Sequence, residues 1–245
     1  MTAQQIVTRE EWLVARKALL AGEKAWTKER DRLSEQRRAL PWIKVEDYVF
    51  NGPNKVITLS ELFDGRSQLI IYHFMFDPKW TDGCPSCSFL VDHVPGAQQH
   101  FEHRDISFAC VSRAPIKKIE AYKRRMGWHF QWVSSFTNRF NFDFHVSFTP
   151  EMRAQGPVEY NFKMGPDPEV NELPGVSVFT REPNGALYHT YSSYGRGGEV
   201  LLGTYDFIDL VPKGRQEDDK IMGGWMHRHD EYPDDGRKGV RADPA

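Results

Sequence analysis

Hydrophobic and polar positions divide the chain into stretches with different periods. From residue 8 to about 40 the apolar positions Trp12, Leu19, Trp26, Leu33 and Leu40 recur every seven residues along an otherwise charged run. That spacing draws one apolar line on a helix, with Ala15 and Gly22 as a weak second row. Thr8-Arg9-Glu10-Glu11 fits a capping box at its start, and Gly22 is a candidate break into two helices. The expectation is an N-terminal helical arm, residues 1–40, whose apolar line serves as a docking or homodimer surface or packs along its own domain.

Beyond Pro41 the period shortens. Val56–Phe63 leads through the turn signal Asp64-Gly65 to Ile70-Ile71-Tyr72-His73-Phe74-Met75-Phe76, apolar at both parities. Such a run predicts a strand buried on both faces. Ile106–Val111 is a second apolar run, and Ile116–Met126 is amphipathic and closes at Gly127, as helices often do. With a short strand at Trp132-Val133, strands alternating with helices predict βαβ units and a parallel sheet, an α/β class. Phe140, Phe142, Phe144, Val146 and Phe148 alternate with Asn141, Asp143, His145 and Ser147, predicting a half-buried strand that opens an aromatic-rich insertion over about 136–172. Val176–Phe179 and Ala186–Tyr191 flank Asn184-Gly185, a hairpin turn signal, and 198–210 is a last helix. The main domain is therefore 41–212. From Pro212 the tail is charged and Gly/Pro-rich, predicting loose order, although Trp225–Tyr232 has the aromatic weight to dock.

The candidate chemistry follows the double-sided strand: Thr81-Asp82-Gly83-Cys84-Pro85-Ser86-Cys87. Pro85 suits the first turn of a helix, where its missing N–H costs nothing. Cys84 then lies beside unpaired backbone N–H groups and the positive helix end, which favour a nucleophilic thiolate. Cys87, one turn on, is in reach for a disulfide. Asp82 beside Cys84 would raise the thiol pKa unless it points away. His73, in the strand, is a candidate base or a core histidine, and Cys110 reads as an inert apolar thiol.

Composition narrows the function classes. Among 245 residues, 32 Lys and Arg against 34 Asp and Glu leave a net charge of −2, which points away from nucleic acid or an anionic membrane as main partner. No leader pattern precedes the domain and no stretch approaches the roughly 18 apolar residues of a membrane helix, so a cytoplasmic, reducing setting is expected. Three cysteines build no disulfide scaffold; a CxxC pair in such a setting is catalytic or metal-binding.

Cys84-Pro85-Ser86-Cys87, Ser112-Arg113-Ala114-Pro115, Gly127-Trp128 with Trp132-Val133-Ser134-Ser135, Gly195-Arg196-Gly197 and His229-Asp230-Glu231-Tyr232 carry a resemblance. Over most of 40–235 the chain resembles bacterial thioredoxin-like proteins described as predicted dithiol-disulfide oxidoreductases. The resemblance implies a thioredoxin-like, peroxiredoxin-like central sheet flanked by helices. By analogy with that fold, Val176 occupies the place of the cis-proline that faces the dithiol in thioredoxins, the nearest prolyl bond being Leu173-Pro174. Pro78, Thr81 and Cys84 give PxxTxxC, one residue short of the peroxiredoxin PxxxTxxC.

Three activities follow. In dithiol–disulfide exchange, Cys84 attacks a disulfide and Cys87 resolves it, with a cellular thiol as reductant and no cofactor. In peroxide reduction, Cys84 is oxidised while Thr81 and Arg113 stabilise the developing charge. In a metal-binding protein, Cys84 and Cys87 hold zinc or copper with His93 or His229; His100, His103, His189 and His227 are further candidates.

Overall fold

The computed structural model describes residues 4–217 and 224–233. Contacts divide the chain into two compact units, Met1–Trp42 and Ile43–Ala245. The first is one uninterrupted helix, α1 (Arg9–Arg38). Its capping box forms: the Thr8 hydroxyl accepts from the Glu11 N–H at 3.3 Å, and the Glu11 carboxylate accepts from the Thr8 N–H at 2.9 Å. Gly22 does not break it. One glycine costs about 1 kcal/mol against alanine, and the Ala, Leu, Glu and Lys around it are strong helix formers. None of its residues is buried, and Trp12, Leu19, Trp26 and Leu33 are exposed.

The second unit follows the order β1 (Ile43–Lys44), β2 (Val49–Asn51), β3 (Val56–Thr58), α2 (Leu59–Leu62), β4 (Gln68–His73), α3 (Pro85–Val91), α4 (Val94–Glu102), β5 (Ile106–Ser112), α5 (Ile116–Arg125), β6 (Gln131–Ser134). It continues with α6 (Phe140–Asp143), α7 (Pro150–Ala154), β7 (Val158–Tyr160), β8 (Lys163–Gly165), β9 (Gly175–Arg181), β10 (Leu187–Tyr194), a 3-10 turn (Gly195–Leu201) and α8 (Gly203–Ile208). Strands β1-β10-β9-β4-β5-β6-β2-β3 make one sheet in that order. β4, β5 and β6 run parallel, and β9 joins β4 antiparallel. Strand, CxxC helix, strand, helix, antiparallel hairpin and helix is the thioredoxin-like order in its peroxiredoxin-like arrangement. The protein has that α/β fold.

β4 sits at the centre, which is why it is apolar at both parities. Leu69 and Ile71 pack into one layer with Phe50, Val111, Val133 and Phe179. Tyr72 packs into the other with Phe74, Cys87, Trp132 and Val176. The 184–185 turn forms as expected, with Gly185 at φ +86°, a region that an L side chain enters only with strain.

One expectation is corrected. Phe140–Phe148 is not a strand. Asn138 Oδ1 accepts from the Phe140 N–H at 2.9 Å and starts the short helix α6. Phe140 and Phe144, four apart, then meet on one face with ring centroids 4.7 Å apart. A polar residue between every two aromatics satisfied both periods, and the i, i+4 contact prevailed. In the tail, Gly224–Pro233 docks on the main domain, as described below. Residues 218–223 and 234–245 lie outside the described residues. No described helix is long and apolar enough to cross a membrane.

Candidate active site

β4 ends at His73, and the chain then forms the loop that delivers the dithiol. Asp77 fixes its turn: Oδ1 accepts from the Lys79 N–H at 2.7 Å, and Oδ2 from Asn171 Nδ2 at 3.0 Å. Lys118, from α5, donates to the carbonyls of Pro78 and Trp80 at 2.8 and 2.7 Å. At Gly83 the backbone runs against aromatic rings. A Cβ there would lie 2.6 Å from Phe74 Cε1 and 2.8 Å from Tyr122 Cε1, so only glycine fits.

Cys84 then caps α3 with Pro85 at its first position. Its N–H donates to the Met75 carbonyl at 3.1 Å, and its own carbonyl accepts from the Ser88 N–H and hydroxyl at 3.0 and 2.9 Å. The thiol is partly exposed, whereas Cys87, one turn on, is buried; both are free. The two are neighbours in the sense that matters chemically. The Cys87 thiol is the largest influence bringing the Cys84 pKa down to about 7. Burial opposes that shift, while the backbone N–H groups of Cys87 and Ser86 and the Arg228 guanidinium reinforce it. Burial pushes the Cys87 thiol well up, and the hydrogen bond and charge of Cys84 push it further. Cys87 Sγ also accepts from the Tyr72 hydroxyl at 3.3 Å. The pair is thus split into a partly exposed thiol that is about half ionised at neutral pH and a buried protonated thiol, the division of labour that thiol exchange requires.

The tail completes the site. Arg228 Nε and Nη2 donate to the Gly83 carbonyl at 3.0 and 2.7 Å, and Glu231 holds Nη1 at 2.9 Å. Arg125 gathers Asp82, Asp230 and Glu231, each at 2.7 Å. His229 Nδ1 lies 2.8 Å from Asp92 Oδ1, the same oxygen that accepts from Trp128 Nε1. Both flanks of the CxxC turn are therefore tied to the tail, and Asp82 is paired with Arg125.

The other expected residues are placed as follows. Thr81 is exposed on the bend before Gly83. Arg113, just past β5, lies 3.9 Å from Glu172 and stacks its guanidinium 4.4 Å from the centre of the Phe142 ring. His73 is a core histidine on the layer away from the dithiol. It contacts Ser177 Oγ at 2.9 Å and Asn141 Oδ1 at 3.3 Å, and burial holds it near pKa 4, neutral. His93 is occupied at both nitrogens. Nδ1 contacts the Leu90 carbonyl at 3.0 Å, and Nε2 accepts from the Thr204 N–H at 2.9 Å. His189 contacts Ser192 Oγ at 2.7 Å. Among the described residues no three His, Cys, Asp or Glu side chains form a metal-holding group. Cys110 is fully buried, with its thiol pushed well up by burial. Val176 pairs with Tyr72 across β9 and β4, facing the dithiol, and no described peptide bond is cis.

Arg228, Tyr72 and Tyr160 were not singled out from the sequence. Tyr72 had a signal, since it shares a strand parity with the layer that receives α3. Arg228 had only the aromatic weight of its neighbours, because 145 residues separate it from Gly83.

A sequence profile described as "Bacterial protein of unknown function (DUF899)" matches residues 1–232. A search of curated protein sequences finds no match. Among solved structures, the peroxidoxin BcpB of Mycobacterium tuberculosis is similar at 12% identity and a TM-score of 0.45, covering 69% of this chain and 97% of that one. A peroxiredoxin Q of Xanthomonas campestris is similar at 17% identity and a TM-score of 0.43, covering 64% and 88%. The mitochondrial 2-cys peroxiredoxin of Plasmodium falciparum is similar at 16% identity and a TM-score of 0.38, covering 68% and 93%.

Proposed function

The chain belongs to the DUF899 family of bacterial proteins, and on that premise we propose that it is a thiol–disulfide oxidoreductase working through Cys84 and Cys87. One observation carries the reading: a partly exposed Cys84 caps α3 one helical turn from the buried Cys87, whose thiol holds it near pKa 7.

The Cys84 thiolate attacks one sulfur of a disulfide R–S–S–R. The S–S bond breaks, R–S⁻ leaves, and Cys84–S–S–R forms. The Cys87 proton passes to the departing thiolate or to water, and Cys87 Sγ attacks Cys84 Sγ. The second R–S⁻ leaves, and the two cysteines end as a disulfide. Two electrons pass to the substrate, and a cellular dithiol returns the enzyme to its starting state. Tyr72 steadies Cys87 Sγ through the second step, when that sulfur carries charge.

The test is a Cys87→Ser variant incubated with a disulfide and followed by mass spectrometry. A stable Cys84 mixed disulfide is expected, while the native protein closes to a Cys84–Cys87 disulfide with loss of two free thiols. No mixed disulfide in the variant would remove the proposal. Oxidation of Cys84 by peroxide far faster than that of free cysteine would shift the reading to a peroxidase. Stoichiometric zinc or copper blocking both thiols would shift it to a metal protein.

A further inference from the structure

Cys84 and Cys87 form one side of a hollow of about 400 Å³. Its remaining walls are largely apolar, with Met75, Leu90, Pro174, Val176 and Leu202, and carry Arg196 and Glu199 along the 3-10 turn. Three separate hydrogen-bond arrangements fix those walls in place. Tyr160, from the insertion, bridges two of them: its hydroxyl donates to the Pro174 carbonyl at 2.7 Å and accepts from the Gly195 N–H at 2.8 Å. Glu199, in the 3-10 turn, is held by Arg215, which also grips Asp209 with Nε at 2.8 Å. His93 fixes the start of α8 through the Thr204 N–H at 2.9 Å. The result is a preformed concavity rather than an open groove along the sheet.

We infer that this pocket selects small disulfides with apolar alkyl or aryl bodies, in preference to protein disulfides and to charged low-molecular-weight disulfides. The inference rests on the dithiol reading above and refines it. A volume of about 400 Å³ lies in the range of pockets that enclose small organic ligands. An extended polypeptide would instead need a trough with free backbone partners beside the sulfur. Here that flank is occupied by the turn Gly195–Leu201. The substrate body displaces water from the apolar walls, and that transfer contributes binding in proportion to the area covered. The sulfur pair of the substrate then lies at the mouth of Cys84. The chemistry is unchanged: one substrate S–S bond breaks, two substrate thiols leave, and the enzyme disulfide forms.

A homologous series decides it. Dimethyl, diethyl, dipropyl and dibutyl disulfide have alkylthiolate leaving groups of nearly equal basicity, so free dithiothreitol reduces them at similar rates. With the native protein, the second-order rate of Cys84–Cys87 disulfide formation should rise about fourfold for each methylene that enters the pocket, then level off. Glutathione disulfide and insulin should both react more slowly than dibutyl disulfide. Gly198 lines the hollow, and a Cβ placed on it meets nothing within 4 Å. Gly198→Phe should therefore flatten the dependence on chain length, whereas Leu202→Ala should move its plateau to longer chains. A flat series in the native protein, or insulin reduced as fast as dibutyl disulfide, overturns the substrate class while leaving the dithiol chemistry standing. Failure of every disulfide to close the Cys84–Cys87 bond overturns the dithiol reading and this inference with it.

Discussion

Arg228 places both Nε and Nη2 on the carbonyl oxygen of Gly83, at 3.0 and 2.7 Å, from a point 145 residues further along the chain. Gly83 immediately precedes Cys84, so the fork fixes the backbone from which that thiol hangs and brings a full positive charge to the same spot. Glu231 orients the guanidinium from behind with two contacts of 2.9 Å. Arg125 in turn holds both Glu231 and Asp82. A planar, always-charged fork suits this task where an ammonium would supply charge alone.

Removing that fork should move the thiol. Arg228→Gln takes away a charge that favours the Cys84 thiolate, so its pKa should rise from about 7. Iodoacetamide alkylation at pH 7 should slow by roughly threefold to tenfold and recover at pH 9. Arg228→Lys, keeping the charge, should restore most of the pH profile but not the melting temperature. Superimposable alkylation profiles for the native and Gln proteins would show that the tail only packs against the loop.

Within the pair itself, the S–H of Cys87 is the main stabiliser of the Cys84 thiolate. Cys87→Ala deletes the donor and should return Cys84 toward its ordinary value near 9, costing up to about fiftyfold in alkylation rate at pH 7. Cys87→Ser keeps a hydroxyl donor and should fall between. Below pH 6 the native rate should drop about tenfold per unit, as the thiolate is protonated. Any other order of the three midpoints, read from alkylation rates between pH 5 and 10, would assign the low pKa to another cause.

Much of this was legible in the sequence because it is local. The double-sided apolarity of Ile70–Phe76 announced a central strand, and Pro85 after Cys84 announced a helix start; β4 and α3 lie there. The parts that were not legible are those made by distant residues. Nothing in the spacing of Arg228 pointed to Gly83, and nothing about Tyr160 foretold that it would tie Pro174 to Gly195. Phe140 and Phe144 misled because alternation over nine residues also contains the i, i+4 pairs of a helix. Only the neighbours on the packed face decide between the two periods.

The second step of exchange should depend on Tyr72. Its hydroxyl, 3.3 Å from Cys87 Sγ, is a donor that strengthens as the sulfur becomes anionic. Tyr72→Phe keeps the ring and the packing against Val176, so the first attack by Cys84 should proceed. The Cys84 mixed disulfide should then persist about tenfold longer before Cys87 closes it, a loss of ~1.4 kcal/mol from the transition state. Rapid quench with mass spectrometry resolves the two steps, and an unchanged lifetime would mean that the hydroxyl serves only the resting thiol.

Glu172 should leave a signature on stability rather than on chemistry. Burial raises its carboxyl to about 8, against the opposing pull of the Ser147 hydroxyl and the Arg113 guanidinium and with Asp77 adding to the rise. In the unfolded chain the same group titrates near its ordinary value of 4.5. Between those values the native state holds a proton that the unfolded state has released. The stability it contributes is therefore fully present below pH 4.5 and is lost as pH rises through 8, at up to about 1.4 kcal/mol per pH unit. His73 works in the opposite sense: its native pKa of about 4 lies below the ordinary 6.5, so its contribution is present above 6.5 and lost as pH falls toward 4. The two slopes offset each other between 4.5 and 6.5, and of these two groups only Glu172 still acts above that. Glu172→Gln replaces the neutral acid by a neutral amide of the same shape that still accepts from Ser147. In urea unfolding from pH 5 to 9, the variant should be close to the native protein at pH 5 and gain on it steadily up to about pH 8, the His73 contribution being common to both. A difference between the two that stays constant across that range would mean that the Glu172 carboxyl is ionised in the folded protein at neutral pH, its charge balanced by Arg113.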